Sequence, residues 1–340
     1  MIVLSLFDGV SCSRLALERA GIPVEAYYAS EIDKYAIALT KTNRPDTIHL
    51  GDVKNVRVRD CEHESLHSSC IQRGTEIGLL IGGSPCQDLS IAGKNRKGLD
   101  GDRSGLFWEY VRILSEVKPK YFVLENVASM PKEAKQTITE ALGVEPIMIN
   151  AALVSAQNRK RLFWVGKRNE VGIYTRVYID QPEDREIYLQ DILEKDIAPA
   201  MKSYAIDANY NKGFNFGSNG GTPSFEKGKR QHVQIGNIGT NAQAHRIYSS
   251  DGKSVSLTSQ GGGQGAKTGL YKIQDTVRML TPVECERLQG MPDGWTQWES
   301  YETKDREEKG FKVISNSQRY KMCGNAFNVD VVAHILSFIK

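Results

Sequence analysis

Short apolar runs closed by glycine, proline or acidic residues alternate with stretches of helical periodicity through the first half of the chain. Residues 2–7, 24–30, 46–50, 77–81, 121–124, 147–151 and 162–165 read as strands, each brief, apolar and bounded by turn formers. Between them, Ser13 to Ala20 and Asp33 to Thr42 read as helices. Leu106 to Val117 carries Leu106, Tyr110, Ile113, Leu114 and Val117 at helical spacing. The alternation predicts a parallel, doubly wound sheet that binds ligands at its strand ends. No apolar period runs through 88–105, where Gly93, Gly98, Gly101 and Gly105 mix with Lys94, Arg96, Lys97 and Arg103. A loop able to close over a substrate is expected there. Residues 200–275 hold thirteen of the thirty-one glycines, including Gly261-Gly262-Gly263-Gln264-Gly265. That composition predicts short strands and loops in a second, smaller domain. Thr281-Pro282-Val283-Glu284 then opens a helix, with threonine as cap, proline in the first turn and glutamate closing a capping box. The helix runs through Leu288 to a stop at Gly290, and Gly324 to Val329 is expected to open a final helix carrying Val332, Leu336 and Ile339.

Composition narrows the class. With 340 residues, 40% hydrophobic and 25% charged, the chain fits a soluble globular protein of one large core or two domains. Met1 to Phe7 has no basic region and soon meets Asp8, so it reads as a first strand rather than a signal peptide. No apolar stretch approaches membrane-spanning length, and the expected location is the cytoplasm. Six irregularly spaced cysteines do not make a disulfide framework and suit a reducing compartment. The net charge of +3 is unevenly spread: residues 200–275 hold nine Lys/Arg against four acids. A basic segment beside a near-neutral body suits contact with nucleic acid, although a solvated face gives the same pattern.

Three strand ends carry candidate ligand groups. Phe7-Asp8-Gly9-Val10-Ser11-Cys12-Ser13 is a turn of small residues entering a helix. Glu31-Ile32-Asp33 places an acid where nucleotide-binding folds hold a ribose, and Gly51-Asp52-Val53 places another near an adenine amino group. With no pyrophosphate-type glycine fingerprint and no Walker loop, the implied ligand has adenine and ribose without a required phosphate. S-adenosylmethionine meets that description.

The fourth strand end carries a nucleophile. Ile77 to Ile81 runs into Gly82-Gly83-Ser84-Pro85-Cys86-Gln87, where Pro85 restricts both itself and Ser84 and so holds the Cys86 thiol in one direction. An intracellular cysteine is more often a small buried apolar residue, so Cys86 needs companions. Glu125-Asn126-Val127 ends the next strand and brings a carboxyl group to the same edge. A thiol beside an acid suits covalent addition to a ring, with a proton given to a ring nitrogen. Arg159 and Arg161, two apart on extended chain, point the same way and could meet a base oxygen and a phosphate. Cys61, His63, His67 and Cys70 match none of the usual structural zinc spacings, and no metal is expected.

Taken in order, Phe7-Asp8-Gly9, Glu31, Gly51-Asp52-Val53, Ser84-Pro85-Cys86-Gln87, Glu125-Asn126-Val127, Gln157-Asn158-Arg159-Lys160-Arg161, Arg278-Met279-Leu280-Thr281-Pro282 through Arg287-Leu288-Gln289-Gly290, and Gly324-Asn325 make the chain resemble the DNA (cytosine-5)-methyltransferase family along nearly its whole length. Ser11 and Cys12 stand where many members have two more glycines, and the Phe-Asp-Gly opening is similar to that of the animal de novo enzymes. The resemblance implies an α/β, Rossmann-like doubly wound S-adenosylmethionine-dependent methyltransferase domain with a smaller, mostly β and loop target recognition domain. The implied catalytic domain is 1–170 completed by 318–340, with target recognition at 171–275 and a connection at 276–317. It further implies Cys86 as the nucleophile on C6 of a flipped cytosine, Glu125 at N3, and Arg159 and Arg161 on O2 and a neighbouring phosphate. Phe7, Asp8, Gly9, Glu31, Ile32, Asp52, Val53, Pro85, Leu106, Asn325 and Ala326 would line the cofactor pocket. Gln87, Ser90, Lys94, Arg96 and Arg246 would touch DNA. S-adenosyl-L-methionine would leave as S-adenosyl-L-homocysteine, and the partners implied are double-stranded DNA and a cognate restriction endonuclease, with the enzyme acting as a monomer and touching no membrane. An RNA cytosine-5 methyltransferase and a catalytically silent DNA-binding regulator are the competing readings. The Cys-Phe-Thr block of tRNA-modifying relatives is absent, and both Cys86 and Glu125 are present.

Overall fold

The computed structural model describes residues 1–59, 70–85, 105–195, 204–205, 214–216, 232–238, 242–259, 267–274, 276–302 and 309–339. In chain order the first part contains β1 (Ile2–Leu6), α1 (Cys12–Arg19), β2 (Ala26–Ser30), α2 (Lys34–Asn43), β3 (Ile48–His49), β4 (Arg57–Arg59), β5 (Cys70–Gln72), β6 (Leu79–Gly83), α3 (Leu106–Val117), β7 (Tyr121–Val127), α4 (Lys132–Leu142), β8 (Ile147–Asn150), β9 (Lys160–Arg168) and β10 (Tyr174–Arg176). The main sheet runs β10-β9-β7-β6-β1-β2-β3, with β8 also paired to β9. Side chains alternate across it, because successive strand residues point to opposite faces. Val3, Leu79, Ile81, Val123, Phe163 and Val165 meet α1, α2 and a carboxyl-terminal helix on one face. Leu4, Leu6, Leu80, Phe122, Leu124, Leu162 and Trp164 meet α3 and α4 on the other.

The expected parallel sheet is parallel only from β3 to β7. Beyond β7 the pairings of β9 with β7, β8 and β10 are antiparallel. The connections at 151–159 and 169–173 are too short for a helical crossover, so the chain can only reverse on itself. One of these reversals carries β10, past residue 170, back onto the main sheet. There the Asn169 side-chain oxygen accepts from the Ile173 N–H at 2.8 Å. Helix α4 has no counterpart among the expected elements.

The second part contains β11 (Tyr204–Ala205), β12 (Phe214–Phe216), β13 (Gln234–Ile238), β14 (Arg246–Ser249), β15 (Leu270–Ile273), β16 (Thr276–Arg278), α5 (Pro282–Leu288), β17 (Trp298–Glu302), β18 (Lys309–Val313), α6 (Asn316–Asn325) and α7 (Val329–Leu336). Strands β11 to β16 form one sheet in the order β11-β16-β15-β14-β13-β12, and β17 and β18 form a separate hairpin. The short strands expected at 200–275 are therefore present, and β16 extends their sheet to Arg278. Helix α5 begins as read: Glu284 N–H donates to the Thr281 hydroxyl at 3.1 Å, and Thr281 N–H donates to the Glu284 carboxylate at 2.8 Å. The carboxyl terminus differs from expectation. Gly324 and Asn325 close α6 rather than open the last helix, and Asn328 caps α7 by accepting from Val331 N–H at 3.0 Å.

A third core joins the two parts: Ala156, Leu189, Tyr248, Leu257, Tyr271, Leu280, Leu288 and Tyr320 pack with Cys285 and Cys323. Helix α5 anchors it through two buried ion pairs. Arg278 makes a two-pronged contact with Glu284 at 2.8 Å on both arms, and Arg319 meets Glu286 at 2.8 Å. Cys70 is disulfide-bonded, which departs from the reducing compartment that the cysteine usage suggests. No helix among the described residues is long and apolar enough to cross a membrane.

Candidate active site

Strands β6 and β7 end side by side at the carboxyl edge of the main sheet, with Gly83 in register with Glu125. The fit is close: a Cβ built on Gly83 would lie 3.0 Å from a Glu125 carboxylate oxygen and 2.7 Å from the Phe327 ring. Only glycine lets the backbone pass there. After Gly83 the chain is fixed by Asn126, whose amide donates to the Ser84 hydroxyl at 3.2 Å. Ser84 is buried, and Pro85 is half-buried. Cys86 follows directly but lies outside the described residues, as do Gln87, Ser90, Lys94, Arg96, most of the expected loop at 88–105, and the segment 60–69 weighed for zinc.

Glu125 has a cationic partner set by strand register. The antiparallel pairing of β7 with β9 puts Phe163 opposite Glu125 and Arg161 opposite Val127, so Arg161 stands diagonal to Glu125 on the same face. Arg161 Nε lies 2.8 Å from the Glu125 carboxylate, with both side chains largely shielded. Such a pair holds the carboxylate at a defined angle and strengthens its electrostatic effect in a low-dielectric setting. The cavity beside it is lined by Glu125, Arg159, Arg161, Phe163, Phe327 and Val331, among others.

Arg159 faces the same cavity, as the two-residue spacing predicted, but its bonds are of another kind. It is 4% exposed, and its guanidinium donates to the backbone oxygens of Leu257, Gly324 and Ala326 at 3.0–3.1 Å. It thereby ties the main sheet to the segment after β14 and to the end of α6. Nothing in the local sequence could show this, since the bonded residues lie 98 to 167 positions away.

At the same edge, three turns surround an open cradle. Phe7, Gly9 and Ser11 all have left-handed φ, so the first turn curls back on itself. Gly9 N–H donates to one oxygen of Glu31 at 2.8 Å, and the other oxygen accepts from Ile32 and Asp33 N–H at 2.8 Å each. Asp52 accepts from Lys54 N–H at 3.0 Å on the third turn. A Cβ on Gly9 or Gly51 would meet nothing within 4 Å. Ile32 is 71% exposed at the rim, unusual for so apolar a side chain. Phe7 and Leu106, the first residue of α3, are half-buried, whereas Val53 and Ala326 are buried and Asn325 is exposed.

Asp8 points elsewhere. Its carboxylate is 6% exposed and accepts from the Tyr27 hydroxyl at 2.6 Å and from Ser11. Burial pushes its pKa up to about 6, against those hydrogen bonds. What Asp8 offers a ligand is the shape of the turn above it. Arg246, at the start of β14, is half-buried on the second sheet. Lys253, counted among the basic residues of that domain, is 1% exposed and so cannot face a phosphate.

The model of C-5 cytosine-specific DNA methylases matches residues 1–340. The chain belongs to that family. Among methylases it is similar to the type II methyltransferase M.HhaI of Haemophilus parahaemolyticus, at 29% identity over 98% of this chain and 92% of that protein. It is also 29% identical to the type II methyltransferase M.NgoPII of Neisseria gonorrhoeae, over 100% of this chain and 95% of that one. The fold matches the crystal structure of S. pombe Dnmt2 methyltransferase with a TM-score of 0.61 at 16% identity, covering 100% and 98% of the two chains. It matches a putative DNA modification methyltransferase from an E. coli prophage with a TM-score of 0.62 at 19% identity, covering 99% and 98%. The methylase is thus an α/β DNA (cytosine-5-)-methyltransferase with a Rossmann-like fold, as its sequence blocks imply.

Proposed function

We propose that this methyltransferase modifies C5 of a cytosine turned out of duplex DNA, with Cys86 as nucleophile and Glu125 as the acid at N3. The carrying observation is the Glu125–Arg161 pair, held at the end of β7 beside Gly83, three residues before Cys86. A cytosine ring does not accept an electrophile at C5 until a nucleophile saturates C6, which is the task of the Cys86 thiolate. A proton or hydrogen bond from Glu125 to N3 lets that adduct form without charge on the ring. Arg161 orients Glu125 and reaches towards O2, while Arg159 holds the wall on which both stand. Loss of the C5 proton and β-elimination then release Cys86. Extrahelical presentation is required, because C6 cannot be reached within the stack.

The cradle at the strand ends fits S-adenosyl-L-methionine. Glu31 accepts one bond on the oxygen facing Gly9 and has capacity for a ribose hydroxyl, Asp52 can accept from an amino group, and Ile32 offers an apolar surface. Phe7, Val53, Pro85, Leu106, Asn325 and Ala326 complete the proposed wall. When bound, this cofactor supplies an electrophilic methyl group. The domain between β10 and α5, with Arg246 and its basic residues, is the proposed DNA face, with Gln87, Ser90, Lys94 and Arg96 on the other side of the duplex. The enzyme is read as a cytoplasmic monomer, with a cognate restriction endonuclease as its candidate partner.

Duplex DNA carrying 5-fluorocytosine at every cytosine tests the chemistry without knowledge of the target sequence. Fluorine cannot leave as a proton does, so the adduct persists. With S-adenosyl-L-methionine, the wild type should give a denaturant-stable protein–DNA complex mapped to Cys86 by mass spectrometry, and Cys86→Ala should give none. A trapped complex in the variant, or none with either protein, would defeat the assignment.

A further inference from the structure

Lys253 carries an ammonium group into the interior, at 1% exposure. Its Nζ donates to the Ser155 carbonyl at 3.2 Å and to the Ile187 carbonyl, and lies 5.1 Å from the Tyr188 ring centroid. These partners come from two separate stretches, the turn before β9 and the connection after β10, and Lys253 itself belongs to a third, the segment that follows β14. An ammonium has three donors and can tie several carbonyls at once, whereas burying it without them is strongly unfavourable. Its neighbours show what it fastens. Ser254 N–H donates to Ala156 O at 2.7 Å, Asn158 N–H donates to Ser254 O at 2.9 Å, and Gln157 bridges Ser254 in parallel register. At the far end, Arg159 holds Leu257 O at 3.1 Å. Beyond it, the Thr258 and Ser259 backbone lies so close to Gly324 that a Cβ there would fall 2.4 Å away. Residues 253–259 therefore form a strap laid along 155–159, with a buried cation at each end.

We propose that Lys253 is a positioning residue: its ammonium locks the strap, and with it the target recognition domain, to the catalytic sheet in the orientation that DNA requires. The DNA half of this statement rests on the proposed function; the joint itself does not. Lys253 touches no reacting atom. Losing its charge leaves the aliphatic packing and the Glu125–Arg161 pair in place, but frees the strap to move as DNA docks.

Lys253→Met keeps the stem and removes the ammonium. Hydrogen–deuterium exchange on the full chain should show the Ser254 and Asn158 amides exchanging at least about tenfold faster, with α1, α7 and S-adenosyl-L-methionine affinity unchanged. In steady-state methylation of plasmid DNA, KM for DNA should rise about tenfold while kcat falls no more than about twofold. Unchanged exchange at Ser254 and Asn158 overturns the inference, as does faster exchange spread over the whole chain with loss of cofactor binding. A fall in kcat with KM for DNA unchanged overturns it too. If the wild type methylates no DNA, the proposed function fails, and the exchange result alone decides the joint.

Discussion

Replacing Asp8 by asparagine should change how stability depends on pH more than it changes stability at any one pH. The carboxyl of Asp8 is shut under the first turn, and burial pushes its pKa from 3.8 to about 6, while the Tyr27 and Ser11 hydroxyls pull it back and Glu31 adds repulsion. A difference of about two pH units corresponds to about 3 kcal/mol between protonated and ionised forms. Because the folded value is raised, this stabilisation is complete below about pH 4 and is lost as pH rises through about 6. Asparagine can still accept from Tyr27 and turn its amide towards Ser11, without a charge to bury. Urea unfolding of both proteins from pH 4 to 8 isolates the effect, since other titrating groups cancel in the difference. Relative to Asp8→Asn, the wild type should lose about 3 kcal/mol across that range. A difference between the two that stays flat with pH would refute the argument.

The other expectations concern the site and its supports. Glu125→Gln keeps the shape but cannot give a proton, so single-turnover methylation should slow by about a hundred- to ten-thousandfold with DNA affinity retained; a rate within threefold of wild type would speak against Glu125 as the acid. Gly83→Ala forces its methyl group into Phe327 and Glu125, and should cost about 1–3 kcal/mol of stability and on the order of a hundredfold in rate. Unaltered activity would show that the close packing of these strand ends does not matter. Arg278→Met strands the buried Glu284 and should cost about 3–5 kcal/mol by denaturant titration, most of it recovered in Arg278→Met/Glu284→Leu; no recovery would point to lost packing instead of lost charge.

How much of this was legible in the sequence depends on distance along the chain. The strands β1, β2, β6 and β7, the capped start of α5 and the positions of the turns at Phe7–Gly9, Glu31–Asp33 and Gly51–Val53 follow from local patterning and turn chemistry. The antiparallel half of the sheet was not legible, because an apolar strand reads alike in either direction and only the short connections decide. Helix α4 was missed for want of a long apolar stripe, since Ala134, Ile138, Thr139 and Leu142 bury a narrow face. At the site, the Glu125–Arg161 pairing followed once strand register was known, but the capture of Leu257, Gly324 and Ala326 by Arg159 is purely tertiary. Lys253 shows the same limit from the other side. By composition it belonged to a basic surface, and by packing it is interior.

Bisulfite sequencing of plasmid DNA from cells expressing the wild type, beside cells expressing Cys86→Ala, tests the central claim most directly. Cytosines in one short sequence should resist conversion with the wild type and convert fully with the variant. Complete conversion with both, given folded protein in each, or protection that survives in Cys86→Ala, would contradict the claim that Cys86 methylates cytosine in DNA.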